Sequence, residues 1–557
     1  MLGQTKRLIS ENCMRYLRRF LFLALATTLV HLSMSAVPAT GQLYGVFATE
    51  KGDSLRVKLM GDEHLSFWKS DDGRCFQLNE KQQLHEIHSQ ELISRRLPQA
   101  FAKRTPCLGE FKHYEGTFKG IIILAEFTDS KFRETHNQEL YYNVANTPDF
   151  TNDMGFHGSV RDYFLSQSRG KFDFSFDVVG PVQLSHNYKY YGEDAADGSS
   201  HNIRAGEMIA EACQLVGETV DWSQYDWDGD GEVEQVFIVF AGEGQHNSTD
   251  VNTIWPHKHS LSGSDYGQTL QLGGYIIDQY ACSSEMHTST MISGIGVMCH
   301  EFSHCFGFPE HYDAALGSSG NFGMYTWDVM GMGNYNGNGF TPAGYTSHER
   351  MVLGWLDPIE LCDEEVQVEG LQPLSEGGDA YIIYNDANHN EYYLLENRQQ
   401  VGWDAALPGN GLLIIHVDFD KNIWAANGVN VVQTYGAFQN DHQRMTIFHA
   451  DNDDGKTDFS LQRDPYPYTK RDSLTDNSMP AARLYTPNLA GSNYMGKPIT
   501  KIKRNADKTI SFHFGTITDG IRIIEKDKNQ PKIKIYHIAG KDIWVPLQKN
   551  NRGKYIE

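Results

Sequence analysis

The sequence contains 557 residues, and its 71 acidic side chains against 48 lysines and arginines give a net charge of −23. Such an excess of negative charge makes nucleic acids and anionic membrane surfaces poor partners. A chain of this length is too long to fold around one hydrophobic core, which indicates several domains. With 12% aromatic residues and 52 glycines, the composition favours a packed, turn-rich protein with much β-structure over a disordered one.

The amino terminus has the order of a secretory signal peptide. Arginines precede an apolar run at residues 20–30, and small residues follow it at Ser35, Ala36 and Ala39. We therefore predict a signal peptide over residues 1–39 and a protein that is secreted or held at the cell surface. No later run approaches 18 apolar residues, so no transmembrane segment is predicted after signal removal.

Residues 40–112 are predicted to form a small separate unit. Residues 55–60 alternate between apolar and polar side chains, as in a β-strand. The dipeptides Arg95-Arg96 and Lys103-Arg104 follow in a polar stretch, which indicates an exposed and cleavable linker.

Strands and helices alternate in the first part of the next unit, which we predict over residues 113–360. The apolar run 121–127 indicates a buried strand, and a second strand is predicted at 236–240. One helix is predicted from Ser159 to Ser168, with Ser159 as its cap, and another from about residue 202 to 216. This alternation indicates a layered fold of helices on a sheet.

An acidic loop lies at residues 226–234. Oxygen-bearing side chains at alternate positions surround Gly231, as in the first part of an EF-hand loop, although Phe237 stands where the closing glutamate would be. We predict a structural Ca²⁺ site, with a plain acidic turn as the alternative. The predicted ligands are Asp226, Asp228, Asp230, Glu234 and the backbone carbonyl of Glu232.

The motif H-E-x-x-H occurs at residues 300–304. On a helix, His300 and His304 lie one turn apart on the same face, where both can bind one Zn²⁺. Glu301 lies about a quarter turn away and can reach water on the metal without being a ligand. The same helix carries an apolar stripe at helical spacing, which predicts a buried face. The stripe consists of Ile295, Cys299, Phe302 and Phe306.

The residues after this motif indicate which side chain can be the third zinc ligand. Gly307 can adopt the left-handed conformation that ends a helix, and Pro309 prevents the helix from resuming. The chain therefore turns back, and Glu310 is the next polar side chain to arrive, ten residues after His300. Ten is the spacing of the third metzincin ligand, and two histidines with one carboxylate leave a position for water. His311 is the alternative third ligand.

A second motif lies at residues 327–335, where Met330 is in a glycine-rich turn. A methionine in a tight turn below the metal is typical of metzincins. From HEFSHCFGFPEHYD through WDVMGMGNYNG to LGWLDP, the sequence resembles the immune inhibitor A-like family of secreted bacterial metalloendopeptidases. It departs from that family in having Glu310 where aspartate is expected.

This resemblance implies a metzincin-like zincin domain of the α+β class, preceded by a prodomain and followed by one or more all-β domains. It also implies that Glu301 is the general base and that Tyr335 hydrogen-bonds the oxyanion. Gly61-Asp62-Glu63 resembles the family's pro-region, so residues 40–112 are predicted to keep a zymogen latent. Cys107, beside the cleavable linker, is either a thiolate that caps the zinc or a buried free cysteine.

The remainder of the chain is predicted to be rich in β-structure. Residues 361–515 carry glycine, asparagine and aspartate turns, and their clearest predicted strands are 391–398 and 411–418. Residues 516–557 form a short β-module. Within it, residues 535–541 resemble the carboxyl-terminal sorting modules of bacterial type IX secretion, which predicts a contact with secretion machinery.

Together these features predict a secreted zinc endopeptidase, made as a zymogen, whose substrates are proteins or peptides. The alternative from another class is a non-enzymatic surface protein that binds host protein or glycan through its β-domain; the intact zinc motif argues against it. A thermolysin-like gluzincin would need a later glutamate ligand. The only suggestive pair, Glu396-Asn397, lies in a predicted strand, so this reading is disfavoured.

Overall fold

The computed structural model of the protein describes residues 35–79, 81–96, 111–195, 202–435 and 438–515, with short strands beyond residue 520. The predicted signal sequence before Ser35 and the candidate zinc cap Cys107 lie outside the described residues. The described part is a mixed α+β structure with several sheets and few long helices, which confirms the predicted α+β class.

Five strands form an antiparallel sheet in which each strand pairs with the next along the chain. On one face, Leu59, Trp68 and Phe76 pack in a buried cluster. A short strand precedes this sheet and joins a different one. In chain order the strands are β1 (Ser35–Ala36), which precedes the sheet, then β2 (Tyr44–Ala48), β3 (Ser54–Gly61), β4 (Ser66–Ser70), β5 (Cys75–Leu78) and β6 (Leu84–Ile87). A helical turn at Ser89–Glu91 and a π-helical turn at Leu92–Arg96 follow.

The next nine strands build two sheets, a seven-stranded sheet that includes β1 and a three-stranded side sheet. They are β7 (Gly116–Glu126), β8 (Phe172–Gln183), β9 (Glu232–Val233), β10 (Val236–Glu243), β11 (His257–Ser260), β12 (Leu270–Leu272), β13 (Tyr275–Ile277), β14 (Gln279–Thr288) and β15 (Met291–Ile292). The order is β1-β11-β14-β10-β7-β8, with β15 paired to β14, while β9, β12 and β13 form a side sheet. Strands β14, β10, β7 and β8 are parallel, whereas β11 is antiparallel to β14 and β1 is antiparallel to β11.

Helices cover both faces of this sheet, which explains why its central strands are continuous apolar runs. In β7, Ile122 and Leu124 pack in one core, and Ile121 and Ile123 pack in the other. The helices are α1 (Gln138–Asn146), α2 (Val160–Gln167), α3 (Tyr188–Gly192), α4 (Ala205–Val216), α5 (Gly296–Ser303) and α6 (Ser347–Val352). The predicted strands and helices of this region are confirmed, and Ser159 caps α2 through a capping box.

Three further sheets follow, with orders β16-β18-β19-β20-β23, β17-β25-β24 and β21-β22 in the numbering below. The strands are β16 (Ile359–Glu360), β17 (Val366–Leu371), β18 (Ala380–Asn385), β19 (Asn388–Arg398), β20 (Gly411–Asp418), β21 (Gln433–Tyr435), β22 (Phe438–Asn440), β23 (Met445–Ile447), β24 (Ile499–Arg504) and β25 (Ile510–Phe514), with short helices α7 (Lys421–Ala425) and α8 (Asp458–Leu461). Strands β19 and β20 confirm the two strands predicted in this part.

The described strands near the carboxyl terminus form small antiparallel sheets. A three-stranded sheet contains β26 (Ile521–Ile524), β27 (Ile533–Ile538) and β28 (Lys541–Pro546), and β29 (Gln548–Lys549) pairs with β30 (Tyr555–Ile556). The segment that resembles a sorting module therefore includes a strand that pairs with the next one. Among the described residues, we find no helix with the length and apolar character of a membrane span.

Candidate metal centre and active site

Helix α5 carries His300 and Glu301 and is buried along its whole length, and His304 caps its carboxyl-terminal end. Its apolar stripe packs in the core on one face of the seven-stranded sheet, as predicted from the spacing. One 3₁₀ turn at His304–Phe306 follows the helix and ends at Gly307, whose φ of +93° is the left-handed conformation expected there. The chain then turns back, and this reversal brings the next acidic side chain to the two histidines.

The structure brings His300, His304 and Glu310 together. Their donor atoms all lie within 4.8 Å of one another, and the three side chains are buried. Glu310 Oε2 lies 3.2 Å from His300 Nε2, and Glu310 Oε1 lies 3.3 Å from His304 Nε2. None of these four atoms has a further hydrogen-bond partner among the described residues. Two imidazole nitrogens and a carboxylate that converge in this way are a donor set that suits Zn²⁺.

Hydrogen bonds at Nδ1 orient the rings of both histidines. Nδ1 of His300 donates to the carbonyl of Val329 at 2.7 Å, and Nδ1 of His304 donates to the carbonyl of Phe308 at 2.7 Å. A carbonyl can only accept, so Nδ1 carries the proton in each neutral ring and Nε2 keeps a free lone pair. Both Nε2 atoms face Glu310. The tautomer with its proton on Nδ1 is the one that binds a metal through Nε2.

The two glutamates of the site have opposite electrostatic surroundings. Burial works to raise the pKa of Glu310, but the nearby His300 and His304 lower it below its ordinary value. Burial raises the pKa of Glu301 well above its ordinary value, and the negative charge of Glu310 raises it further. Glu310 is thus favoured as an anion, whereas Glu301 readily holds a proton.

His311, the alternative third ligand, faces a different pair of groups. Its Nδ1 lies 2.6 Å from Asp328 Oδ2 and 2.9 Å from Glu349 Oε1. Burial works to lower the pKa of His311, but Asp328 and Glu349 raise it to about 10. Two carboxylates therefore hold the side chain of His311. The structure brings Glu310, and not His311, to the histidines of the motif.

The same cluster holds the turn that contains Met330. The backbone N–H of His311 donates to the Met330 carbonyl at 2.8 Å, and the backbone N–H of Met330 donates to Asp328 Oδ1 at 3.0 Å. Met330 is fully buried, and the preceding carbonyl of Val329 is the acceptor for His300. The predicted methionine turn thus lies directly behind the first histidine.

Residues near the amino terminus contact the proposed catalytic groups. The backbone N–H of Val37 donates to Glu301 Oε1 at 3.2 Å, and the Tyr335 hydroxyl donates to the carbonyl of Pro38 at 2.6 Å. Burial raises the pKa of Tyr335 well above its ordinary value, with smaller contributions from Glu301 and Glu310. Sequence reasoning missed these contacts because it assigned residues 37 and 38 to the signal peptide.

The acidic loop brings together three of its five predicted calcium ligands. One carboxylate oxygen from each of Asp226, Asp228 and Asp230 lies within 4.8 Å of the others. The Glu234 carboxylate instead accepts the backbone N–H of Trp227 at 2.7 Å, and Glu232 lies in the short strand β9.

A buried helix that carries two histidines and a glutamate, with an acidic donor on the returning turn, defines the class of metallopeptidase catalytic domains. Residues 122–353 match the family described as immune inhibitor A peptidase M6, catalytic domain. The predicted resemblance to the immune inhibitor A family is therefore confirmed over this part of the chain.

Curated relatives show the same relationship at low identity. The chain is 24% identical over 296 residues to pre-pro-metalloprotease PrtV of Vibrio cholerae serotype O1, an overlap of 45% of this chain and 32% of the relative. It is 23% identical over 295 residues to immune inhibitor A of Bacillus thuringiensis subsp. alesti, covering 44% of this chain and 42% of the relative. The match thus spans well under half the length of each relative.

Proposed function

We propose that this protein is a secreted zinc-dependent endopeptidase that hydrolyses peptide bonds in proteins and is made as a zymogen. The observation that carries the proposal is the convergence of the buried donor atoms of His300, His304 and Glu310 beside the carboxylate of Glu301. The family description, which names a peptidase catalytic domain, and the name of one relative, a pre-pro-metalloprotease, support the same class of activity.

His300, His304 and Glu310 would hold the zinc ion. The fit rests on the free lone pairs of both Nε2 atoms and on a Glu310 carboxylate whose oxygens have no hydrogen-bond donor among the described residues. Three protein ligands are the number that a catalytic zinc site has. A bound zinc ion would supply Lewis-acid activation of water and of the substrate carbonyl.

Glu301 is the proposed general base. Its carboxylate takes a proton from the attacking water and then delivers that proton to the leaving amine. Burial and the neighbouring Glu310 raise its pKa, so the group can hold the proton between the two steps. The N–H of Val37 lies 3.2 Å from Glu301 Oε1, so a backbone nitrogen can come within proton-transfer distance of this side chain.

Tyr335 is the proposed hydrogen-bond donor to the oxyanion. Its hydroxyl already donates to a backbone carbonyl, that of Pro38, and its raised pKa keeps it protonated over a wide pH range. A donor aimed at a carbonyl oxygen stabilises the negative charge that develops when water attacks.

The remaining predictions complete the proposal. Residues 40–112 act as the prodomain, residues 113–360 as the catalytic domain and residues 361–515 as a β-rich domain. The β-module at 516–557 engages secretion machinery, and the product is released or kept at the cell surface. The carboxylates of Asp226, Asp228 and Asp230 hold a structural Ca²⁺, with Glu232 and Glu234 as the further predicted ligands.

Zinc content and casein hydrolysis test this function directly. Processed wild type, Glu301→Ala and Glu310→Ala are compared with and without a chelator. We expect one zinc per wild-type chain, chelator-sensitive cleavage, a zinc-loaded but inactive Glu301 variant and a zinc-poor Glu310 variant. Casein hydrolysis by the Glu301 variant would contradict the mechanism, and a zinc-free, inactive processed wild type would contradict the function.

A further inference from the structure

The ammonium group of Lys456 lies in a cradle of main-chain carbonyls that belongs to another part of the chain. Its Nζ donates to the carbonyls of Ser318, Gly320 and Asn321, at 3.2, 2.7 and 2.9 Å. An ammonium carries three N–H donors, so these three acceptors match its whole hydrogen-bonding capacity. The ring of Tyr325 adds a cation–π contact, with Nζ 5.4 Å from the ring centroid. The cradle therefore suits a compact positive charge.

The carbonyls of this cradle belong to residues 313–321, here called the ligand-side loop, which begins three residues after Glu310. The buried carboxylate of Asp313 holds this loop together. Its Oδ1 accepts the backbone N–H of Ala315 at 3.1 Å, and its Oδ2 accepts the backbone N–H of Asn321 at 2.8 Å. Because the two ends of the loop are joined, a shift of the cradle also moves the start of the loop, which follows directly on the turn with Glu310.

Lys456 itself is held by the acidic turn that precedes it in the β-rich part of the chain. Asp453 Oδ1 accepts the backbone N–H of Gly455 at 3.1 Å, and Asp453 Oδ2 accepts the hydroxyl of Ser460 in α8 at 3.2 Å. Burial lowers the pKa of Lys456 to about 8, although the Asp313 carboxylate opposes this change. The side chain is therefore mostly charged at neutral pH, and it extends from a turn that is fixed on its own side.

Further hydrogen bonds connect the cradle to the residue next to the proposed third ligand. Asn321 Nδ2 donates to the carbonyl of Asn430 at 2.9 Å, and Asn430 Nδ2 donates to the carbonyl of His311 at 2.8 Å. The backbone N–H of Met324 donates to the same His311 carbonyl at 2.9 Å. Asn321, whose own carbonyl binds the ammonium, is thus linked to His311 and through one peptide bond to Glu310.

We propose that Lys456 is a positioning residue whose ammonium group joins the β-rich part of the chain to the ligand-side loop and thereby keeps Glu310 in place to bind zinc. The inference rests on the proposed zinc site and adds to it a residue from outside the part of the chain that matches the peptidase family, residues 122–353. If Lys456 only stabilised the fold, its loss would lower the melting temperature and leave the zinc affinity unchanged.

Removal of the side chain, followed by chemical replacement of its charge, tests this role. Lys456→Ala removes the ammonium and leaves the carbonyl cradle, and n-propylammonium supplies the atoms that this substitution removes. Lys470→Ala is the matched control, because Lys470 is an exposed lysine in the same part of the chain. Competition with a chromophoric chelator measures the zinc affinity of the full-length secreted protein, with and without n-propylammonium. The wild type at the same amine concentration corrects for any effect of the amine on zinc itself.

We expect Lys456→Ala to lower the zinc affinity about tenfold, the lower end of the range for partners that orient a metal ligand, because Lys456 acts through the loop. Added n-propylammonium should restore the affinity to within about threefold of the wild type, since it can place an ammonium in the same cradle. The alcohol 1-propanol has the same length and no charge, so it should restore nothing. The Lys470→Ala protein should bind zinc as tightly as the wild type.

The possible results separate this inference from the function on which it rests. If the wild type binds no zinc, the proposed function fails. If the wild type binds zinc and Lys456→Ala binds it within about twofold as tightly, the positioning role is overturned and the function stands. If Lys456→Ala loses affinity without rescue, or does not fold, Lys456→Met decides, because methionine keeps an apolar stem and lacks the charge. A loss of about tenfold in this variant supports the proposal, and an affinity within about twofold of the wild type overturns it.

Discussion

Replacement of Asn427 by glycine should weaken zinc binding, although Asn427 is not a proposed ligand. Its side-chain Oδ1 accepts the backbone N–H of Glu310 at 2.7 Å, and the residue is fully buried. Asn427 has a φ of +51°, which glycine adopts without strain. The substitution therefore removes the acceptor behind Glu310 and leaves the local backbone conformation accessible.

The expected size of the effect follows from the lost hydrogen bond. A buried N–H without an acceptor costs about 1–3 kcal/mol. If the turn shifts so that this N–H finds another acceptor, Glu310 moves with the turn. A cost of about 1–3 kcal/mol corresponds to roughly 5- to 150-fold in zinc affinity. Loss of a partner that orients a metal ligand typically costs about 10- to 100-fold, which agrees with this range.

Competition with a chromophoric chelator measures the zinc affinity of the processed protein. Asn427→Asp is the conservative variant, because its carboxylate keeps an oxygen acceptor for Glu310. Asn422→Ala is the matched control, since Asn422 is exposed on α7 in the same segment. The reasoning would be refuted if Asn427→Gly bound zinc within about twofold of the wild type.

Two further substitutions test other parts of the proposal. Tyr335→Phe should lower kcat about 100- to 1,000-fold with zinc still bound, because an oxyanion donor is lost; an unchanged kcat would exclude that role. Asp228→Asn should reduce the rise in melting temperature that added Ca²⁺ produces, as differential scanning fluorimetry would show; equal stabilisation of wild type and variant would rule out this loop as the calcium site.

Local features of the catalytic region could be predicted from the sequence because short-range patterns determine them. The apolar run that became β7 is buried on both faces, and Ser159 caps α2 as its position predicts. Gly307 ends the turn after α5 in the left-handed conformation, so the return of the chain towards the histidines was also predictable. These outcomes depend on neighbours within a few residues along the chain.

Short-range sequence patterns could not decide whether Glu310 or His311 is the third zinc ligand. The two residues are adjacent, so spacing alone separates them weakly. In the structure Asp328 and Glu349, far along the chain from the motif, hold His311 and leave Glu310 facing the histidines. The support of Glu310 by Asn427 is equally remote in sequence.

Val37 and Pro38 show the largest difference between what the sequence predicts and what the structure shows. By itself, the sequence predicted the histidines of the metal site, their helix and the proposed general base, because these lie within one short motif. Only the tertiary structure brought Val37 to Glu301 and Pro38 to Tyr335, contacts between residues separated by 264 and 297 positions. The physical reason is that contacts at such separations depend on how the sheets pack, and no local pattern of apolar or polar residues encodes them.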